Sequence, residues 1–427
     1  MMHKFLFQFG KFLRNPSLNK TYAFLKESEV WSKTELEAYQ LQKLQEILKT
    51  AYTHSQFYKA SFDRNKVHPC DIKSLEDLSK IPTVEKQEFI DNVSIIHTNL
   101  KFKKSFKANT SGSTGNPLEF LRDEKADSFN RASIFRGYSW YNVKPWERNG
   151  YFWGFDFSYF KKTKTRMFDA FQNRFRMFSF EQTEINSFVK KMNKAVYLHG
   201  YSSMIYEVAK SMNRLNLQLK IPLKMVKGTS EKIYGSYHEE VKKAFGTKII
   251  SEYGAAETGI IAFECPYGSM HINMEGVIVE ELDNEIVVTN LQMHSFPVIR
   301  YKLGDYIKLS NKQCECGMKH SIIEEVTGRV GNVVYGTNLN YPNLYFYYIF
   351  KNLSSNHQLN LTYQVIQTHK GYIEFKIEQI LDNKEMQMLS DEIEKYFKGD
   401  IEYSIDFGIN LGIKSSKRKS FISTIND

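Results

Sequence analysis

Nine consecutive residues, Asn109-Thr110-Ser111-Gly112-Ser113-Thr114-Gly115-Asn116-Pro117, are each small, hydroxylated, amide-bearing or turn-forming. None of them can fill a core. The chemistry such a run suits is the holding of phosphate oxygens. Gly112 and Gly115 permit positive φ and close backbone approach, while Thr110, Ser111, Ser113 and Thr114 set hydroxyls beside backbone N–H groups. It is not the phosphate loop of P-loop NTPases, because Asn116 stands where a lysine is needed and no Ser or Thr follows to hold magnesium. A Ser/Gly-rich surface turn has the same composition, so the reading depends on partners elsewhere in the chain.

A second set of residues suits metal ligation. Cys265 and His271 have five residues between them, Cys314 and Cys316 have one, and Gly317 follows. Three of the four cysteines thus group with one histidine, and a Cys3His set can complete a closed, structural tetrahedral zinc site. The Cys-x-Cys step is shorter than the usual Cys-x2-Cys, so free thiols are the competing reading. Cys70, after His68-Pro69, stands apart.

Small polar turns, aromatics and carboxylates recur downstream. Met225 to Thr229 reads as a strand ending in the turn Gly228-Thr229-Ser230-Glu231. Lys248 to Glu257 repeats the theme with Tyr253-Gly254-Ala255-Ala256-Glu257, and Ile299-Arg300-Tyr301-Lys302-Leu303-Gly304-Asp305 closes a strand-rich stretch. Taken alone, Gly304-Asp305 is an ordinary turn.

The elements that must position these turns alternate. Leu118 to Leu121 reads as the return strand of a hairpin, and 124–140 as a helix. Residues 196–203 read as a strand running into a loop, then a helix through Met212, and a further helix follows over 236–245. This order predicts an α/β core whose strand ends carry ligand contacts. Upstream, Leu41, Leu44, Ile47, Leu48 and Ala51 predict one amphipathic helix over 34–60, with Thr34 and Glu37 as its capping box. The basic run Lys101 to Lys107 suits either an anionic ligand or a solvated strand edge. The aromatic-rich 150–180 region suits core or the wall of an apolar pocket. Past a linker at 328–332, alternating runs at 361–366, 372–377 and 401–407 with a helix over 383–397 predict a small α+β domain.

A length of 427 residues supports more than one domain, and 58 basic against 48 acidic residues give a net charge of +10. That balance favours anionic ligands, but no nucleic-acid motif accompanies it. Four cysteines make no disulfide framework, which points to a reducing, cytoplasmic setting. Met1 to Phe12 is aromatic and basic but interrupted by Gln8, Gly10 and Lys11, so we read no signal peptide and no integral membrane segment. A helix over Phe5 to Leu13 either lies in a membrane plane or packs on the body of the protein.

In order along the chain, the stretches Thr110 to Pro117, Tyr253 to Glu257, Ile299 to Asp305 and Gly328-Arg329 resemble the adenylate-forming enzyme superfamily. Within it they are most similar to the phenylacetate-coenzyme A ligase family and its CapK-type, capsule-biosynthesis relatives. The resemblance implies an α/β fold: a large adenylate-forming domain of mixed sheets and helices over 1–327, a hinge at 328–332, and a small α+β lid over 333–427. It implies ATP-dependent activation of a carboxylic acid to an acyl-adenylate with release of pyrophosphate. Thr110, Ser111, Gly112, Ser113, Thr114 and Gly115 would cradle the ATP phosphates. Gly228, Thr229 and Ser230 would line the adenine, Tyr253 would stack on it, and Gly254 would belong to the same nucleotide site. Glu257 would hold Mg2+, and Asp305 with Arg329 would meet the ribose. The family's late lysine matches Ser415-Ser416-Lys417, where Ser416 replaces glycine and Lys414, Arg418 and Lys419 compete for the role. At the hinge Gly331 and Asn332 stand where relatives often carry acidic residues. The substrate class implied is a small carboxylic acid, with an aryl or apolar one hinted at by 150–180 and by His199 to Ser203. The acyl acceptor stays open among coenzyme A, a carrier protein, an amine and a sugar. A catalytically inactive homologue serving surface-glycan assembly is the alternative reading.

Overall fold

The computed structural model describes residues 2–110, 118–152, 159–178, 182–329, 333–411 and 420–425. They form two compact units, the first from 1–147, 251–303 and 307–325, the second from 148–250, 304–306 and 326–427.

The first unit pairs helices with a run of seven sheet strands. Its strands follow the spatial order Val277–Leu282, Glu285–Asn290, Tyr301–Ser310, Ile322–Arg329, Met270–Ile272, Gly259–Glu264 and Ile249–Ala255. A separate antiparallel hairpin, Ser105–Asn109 with Glu119–Asp123, carries the phosphate-loop sequence at its tip. The helix Glu124–Trp140 begins directly after it because the Asp123 carboxylate accepts from the Ala126 N–H at 3.1 Å, a side-chain N-cap. The other Asp123 oxygen accepts from the Ser295 N–H at 3.2 Å, which ties the hairpin to the segment ahead of Arg300.

The expected single helix over 34–60 is two helices, Lys33–His54 and Gln56–Arg64. Ser55 breaks the run: its backbone is extended, and its hydroxyl accepts from the Tyr58 N–H and so caps the second helix. The capping box is Ser32 with Glu35, not Thr34 with Glu37. Ser32 adopts the extended conformation an N-cap needs, whereas Thr34 is already helical. Of the expected apolar stripe Leu44, Ile47, Leu48 and Ala51 are buried, whereas Leu41 is half-buried and Leu36 joins the core in the turn before it.

In the second unit four parallel strands, Met225–Thr229, Tyr197–Tyr201, Asn149–Phe152 and Arg174–Phe175, lie side by side. Phe152, Leu198 and Val226 point from them into a core shared with Val208, Val241 and Phe245 of the flanking helices. The expected loop after Tyr201 is absent, because the helix Ser202–Arg214 starts at once. Its first turn is satisfied by Glu231, whose carboxylate accepts from the Ser203 N–H at 2.9 Å and hydroxyl at 2.6 Å. Residues 344–423 build the four-stranded sheet Glu402–Asp406, Tyr372–Ile377, Tyr363–His369, Phe421–Ser423 under the helices Leu344–His357 and Asn383–Phe397. This small α+β region docks on the parallel-strand region through Ser236 and Thr362 hydroxyls at 2.8 Å and the Lys210–Glu378 ion pair at 3.3 Å.

Candidate functional site

Thr110 is the last described residue before the loop, and it closes the loop's base. Its N–H donates to the Leu118 carbonyl at 3.0 Å, and its hydroxyl accepts from the Leu118 N–H at 2.9 Å. Ser111, Gly112, Ser113, Thr114 and Gly115 lie outside the described residues. From the return strand of this hairpin the Arg122 guanidinium donates to the Ala256 carbonyl, immediately before Glu257. Two stretches 134 residues apart are thereby joined.

Glu257 sits in the turn between the antiparallel strands Ile249–Ala255 and Gly259–Glu264 and is buried. That turn is fixed from both ends: Asn130 accepts from the Ile260 N–H at 2.9 Å, and Asn290 donates to the Thr258 carbonyl at 2.8 Å. Gly254 is required here, since a Cβ would lie 2.4 Å from the Gly259 carbonyl oxygen. Tyr253 is half-buried on the same strand. The Tyr301 hydroxyl donates to one Glu257 carboxylate oxygen, Oε1, at 3.0 Å, and its ring stacks on Phe89 with centroids 4.7 Å apart. Beside it Arg300 forms a two-pronged pair with Glu280 at 2.9 and 3.0 Å and donates to the Ser79 and Ile81 carbonyls. Arg300 therefore anchors the strand that carries Tyr301 and does not offer its charge to a ligand.

Gly228, Thr229 and Ser230 end the second unit's strand Met225–Thr229, with Ser230 at φ +65°. Gly228 admits no side chain, because a Cβ would meet the Ser202 hydroxyl at 2.5 Å. Asp305 is buried within the strand Tyr301–Ser310, after Gly304 at φ +81°. The backbone of Arg329 ends the strand Ile322–Arg329. Lys417 and its neighbours Lys414, Arg418 and Lys419 lie outside the described residues, as do Gly331 and Asn332.

The Cys/His set is a separate group whose side chains come together directly. Ligand atoms of Cys265, His271, Cys314 and Cys316 all lie within 4.8 Å of one another, inside the first unit. The Cys265 and Cys314 sulfurs are 3.6 Å apart, and Cys316 Sγ is 3.2 Å from His271 Nε2. A tetrahedral ion with metal–sulfur bonds of about 2.3 Å and metal–nitrogen bonds of about 2.05 Å sets those spacings near ~3.8 and ~3.6 Å. The short Cys-x-Cys step works because a turn at Cys314 to Gly317 folds back. The Cys316 N–H points at Cys314 Sγ, and Gly317, at φ +86°, donates to the Cys314 carbonyl. Cys70 is exposed and far from this group in sequence and role.

His271 Nδ1 faces the His320 carbonyl at 3.3 Å. A carbonyl only accepts, so Nδ1 carries the proton and Nε2 keeps its lone pair for a metal. Burial pushes the His271 imidazole down to about 4, so the ring is neutral at pH 7 and ready to ligate. Burial also pushes the Cys316 thiol up to about 12 and raises Cys265, whereas hydrogen bonds from Ser269 and Cys316 outweigh burial at Cys314 and lower it.

Behind this cluster lies a charge network that sequence reading missed. The His320 ring contacts Glu275 Oε1 at 2.9 Å, Arg136 pairs with the same oxygen at 2.7 Å, and the Ser28 hydroxyl donates to it. Arg136 also donates to the Asn273 side chain at 2.7 Å. None of these residues sits in a motif, and 139 residues separate Arg136 from Glu275, so no local signal could have revealed the group.

No family model matches the chain. Over 295 residues it is 22% identical to Protein CapK of Staphylococcus aureus, an alignment covering 64% of this chain and 63% of CapK. Over 90 residues it is 37% identical to a phenylacetate-coenzyme A ligase of Escherichia coli (strain K12), covering 21% of each protein. The chain thus matches less than two thirds of the length of either relative. Among solved structures, 2-hydroxyisobutyryl-CoA ligase in its postadenylation state matches 93% of this chain and 91% of its own, with a TM-score of 0.70 at 15% identity. The chain has the fold of the adenylate-forming ligases. AtGH3.15 acyl acid amido synthetase shares it at a TM-score of 0.58 and 11% identity, covering 91% of this chain and 88% of that one. The expected resemblance to the phenylacetate-coenzyme A ligase and CapK proteins is borne out, as is the mixed α/β fold. No helix among the described residues is long and apolar enough to cross a membrane.

Proposed function

We propose that this protein activates a small carboxylic acid with ATP. A carboxylate oxygen bonds to the α-phosphorus, the bond from that phosphorus to pyrophosphate breaks, and the acyl-adenylate remains bound. A nucleophile then attacks the acyl carbon, and AMP leaves with the electron pair. What supports this most is the Arg122 link from the phosphate-loop hairpin to the turn bearing Glu257. It joins the strand that leads out of the phosphate-loop sequence to the turn bearing a buried carboxylate that Tyr301 holds by one oxygen.

In this reading Thr110 to Gly115 cradle the phosphates, and Gly228, Thr229, Ser230, Tyr253 and Gly254 surround the adenine. Asp305 accepts from the ribose hydroxyls, assisted by Arg329, and Lys417 stabilises charge on the α-phosphate. Glu257 presents its second oxygen to Mg2+, which would neutralise phosphoryl charge. An aryl or apolar acid fits the aromatic-rich sequence over 150–180. The likeness to the coenzyme A ligases favours coenzyme A as acceptor, and the sequence resemblance to capsule-biosynthesis relatives favours a role in surface polysaccharide assembly. Zinc at Cys265, His271, Cys314 and Cys316 would be structural, since four protein ligands leave no open position.

ATP–pyrophosphate exchange across a panel of carboxylic acids, with and without coenzyme A, tests the reading. Exchange with at least one acid, cut about a hundredfold or more by Lys417→Ala and by Glu257→Gln, is expected. No exchange with any acid, alongside intact nucleotide binding, would favour the inactive homologue instead.

A further inference from the structure

The helix Met2–Arg14 presents an apolar face to solvent that nothing among the described residues covers. Met2 is 66% exposed, Phe5 69%, Phe9 54%, Phe12 71% and Leu13 55%. At about 100° per residue these five positions fall within one arc of about 100°, a single stripe. The opposite face is fixed to the protein. Phe7 packs 5.7 Å from both Phe135 and Trp146, Lys11 donates to Asn19 at 2.5 Å, and Arg14 lies 3.6 Å from Asp127. Asn15, just past the helix, donates to Asp127 at 2.9 Å and to Ser128 at 3.2 Å. The helix is therefore seated, and its exposed aromatics are displayed rather than left over from fraying. Three exposed phenylalanines in one stripe are unusual on a surface facing only water.

Charge selects the occupant. Residues 1–26 contain Lys4, Lys11, Arg14, Lys20 and Lys26 and no Asp or Glu. Arg14 faces Asp127 and Lys26 pairs with Glu29, so Lys4 and Lys20 carry the exposed positive charge. Lys104 adds another cation at the helix end by donating to the Leu13 carbonyl. A second copy of this chain would bring the same positive field against itself, which opposes self-association. An anionic lipid surface matches both features: phenylalanines enter the acyl boundary while the exposed Lys4, Lys20 and Lys104 meet headgroups. A 13-residue helix is about 20 Å long, too short to span a bilayer and suited to lying in its plane. We infer that the exposed face of Met2–Arg14 docks this protein peripherally on anionic membrane.

The test is sedimentation of the full chain with vesicles of phosphatidylcholine alone or enriched in phosphatidylglycerol, at low and high salt. We expect at least about tenfold tighter binding to the anionic vesicles, weakened by salt. Phe9→Ser with Phe12→Ser should cut that binding about tenfold or more, and Lys4→Gln with Lys20→Gln about fivefold per charge. Both pairs are exposed, so circular dichroism, the melting temperature and ATP–pyrophosphate exchange should stay unchanged. That separates this inference from the proposed activity. Absence of binding to anionic vesicles would overturn it, as would binding indifferent to the phenylalanines. A dimer in light scattering that the Phe9→Ser, Phe12→Ser variant dissolves would also overturn it, naming a second copy as the occupant.

Discussion

Arg136→Met should be among the most damaging single changes in the first unit, and its cost can be worked from the geometry. The Arg136 and Glu275 side chains are 4% and 0% exposed and 2.7 Å apart, so removing the cation strands a carboxylate in the core. Breaking a buried pair this way typically costs about 3–5 kcal/mol. The His320 ring and the Ser28 hydroxyl remain on the same Glu275 oxygen, which places the expected cost near the low end, about 3 kcal/mol. For a unit of about 220 residues, each kcal/mol moves the melting temperature by roughly 2–4 °C, so a drop of roughly 6–12 °C follows. Because the His320 carbonyl orients His271, the variant should also hold zinc more weakly, by about tenfold or more. Calorimetry and metal analysis of the purified protein read both effects. The double variant Arg136→Met, Glu275→Gln should melt higher than Arg136→Met alone, since the stranded charge is gone. A single variant within about 2 °C of wild type, or a double variant that loses the sum of the two single losses, would refute the reasoning.

The same network sets an acid limit. Burial opposes the Glu275 carboxylate, but Arg136 and His320 hold it well below the usual carboxylate range. A depressed folded-state pKa means the stabilisation is complete above the ordinary value of about 4.3 and is lost as pH falls below it. Melting temperature against pH should therefore fall more steeply below about pH 4 in wild type than in Glu275→Gln; parallel curves would exclude Glu275 as a source. Zinc at one per chain is expected by metal analysis, and Cys316→Ser or a strong chelator should remove it and lower the melting temperature by several degrees. Metal-free protein with an unchanged melting temperature would leave the cysteines as plain thiols. Tyr301→Phe removes the hydroxyl from Glu257 and should cost about 1.5–3 kcal/mol of stability, with a fall in kcat that added magnesium partly rescues; unchanged kcat would detach Tyr301 from the site. Glu231→Ala uncaps the helix Ser202–Arg214 and should cost about 1–2 kcal/mol, read by chemical denaturation.

Features that depend on neighbours along the chain were legible in the sequence. The helices at 124–140 and 383–397 follow from period and capping, and the hairpin around the loop from its flanking strands. The grouping of three cysteines with one histidine showed as composition, even though Cys-x-Cys is an unusual step. The misplaced start of the helix Lys33–His54 has a local cause too, since Ser32-Glu35 and Thr34-Glu37 fit the same capping pattern and only backbone conformation separates them. Packing decided the rest. Arg122 on the Ala256 carbonyl, Tyr301 on Glu257 and Arg136 on Glu275 join residues 134, 44 and 139 positions apart. A side chain's type announces that it needs a partner when buried, because an unpaired buried charge is costly. Which partner it meets depends on how strands and helices stack, and that is set by the summed burial of many apolar residues instead of by any short stretch.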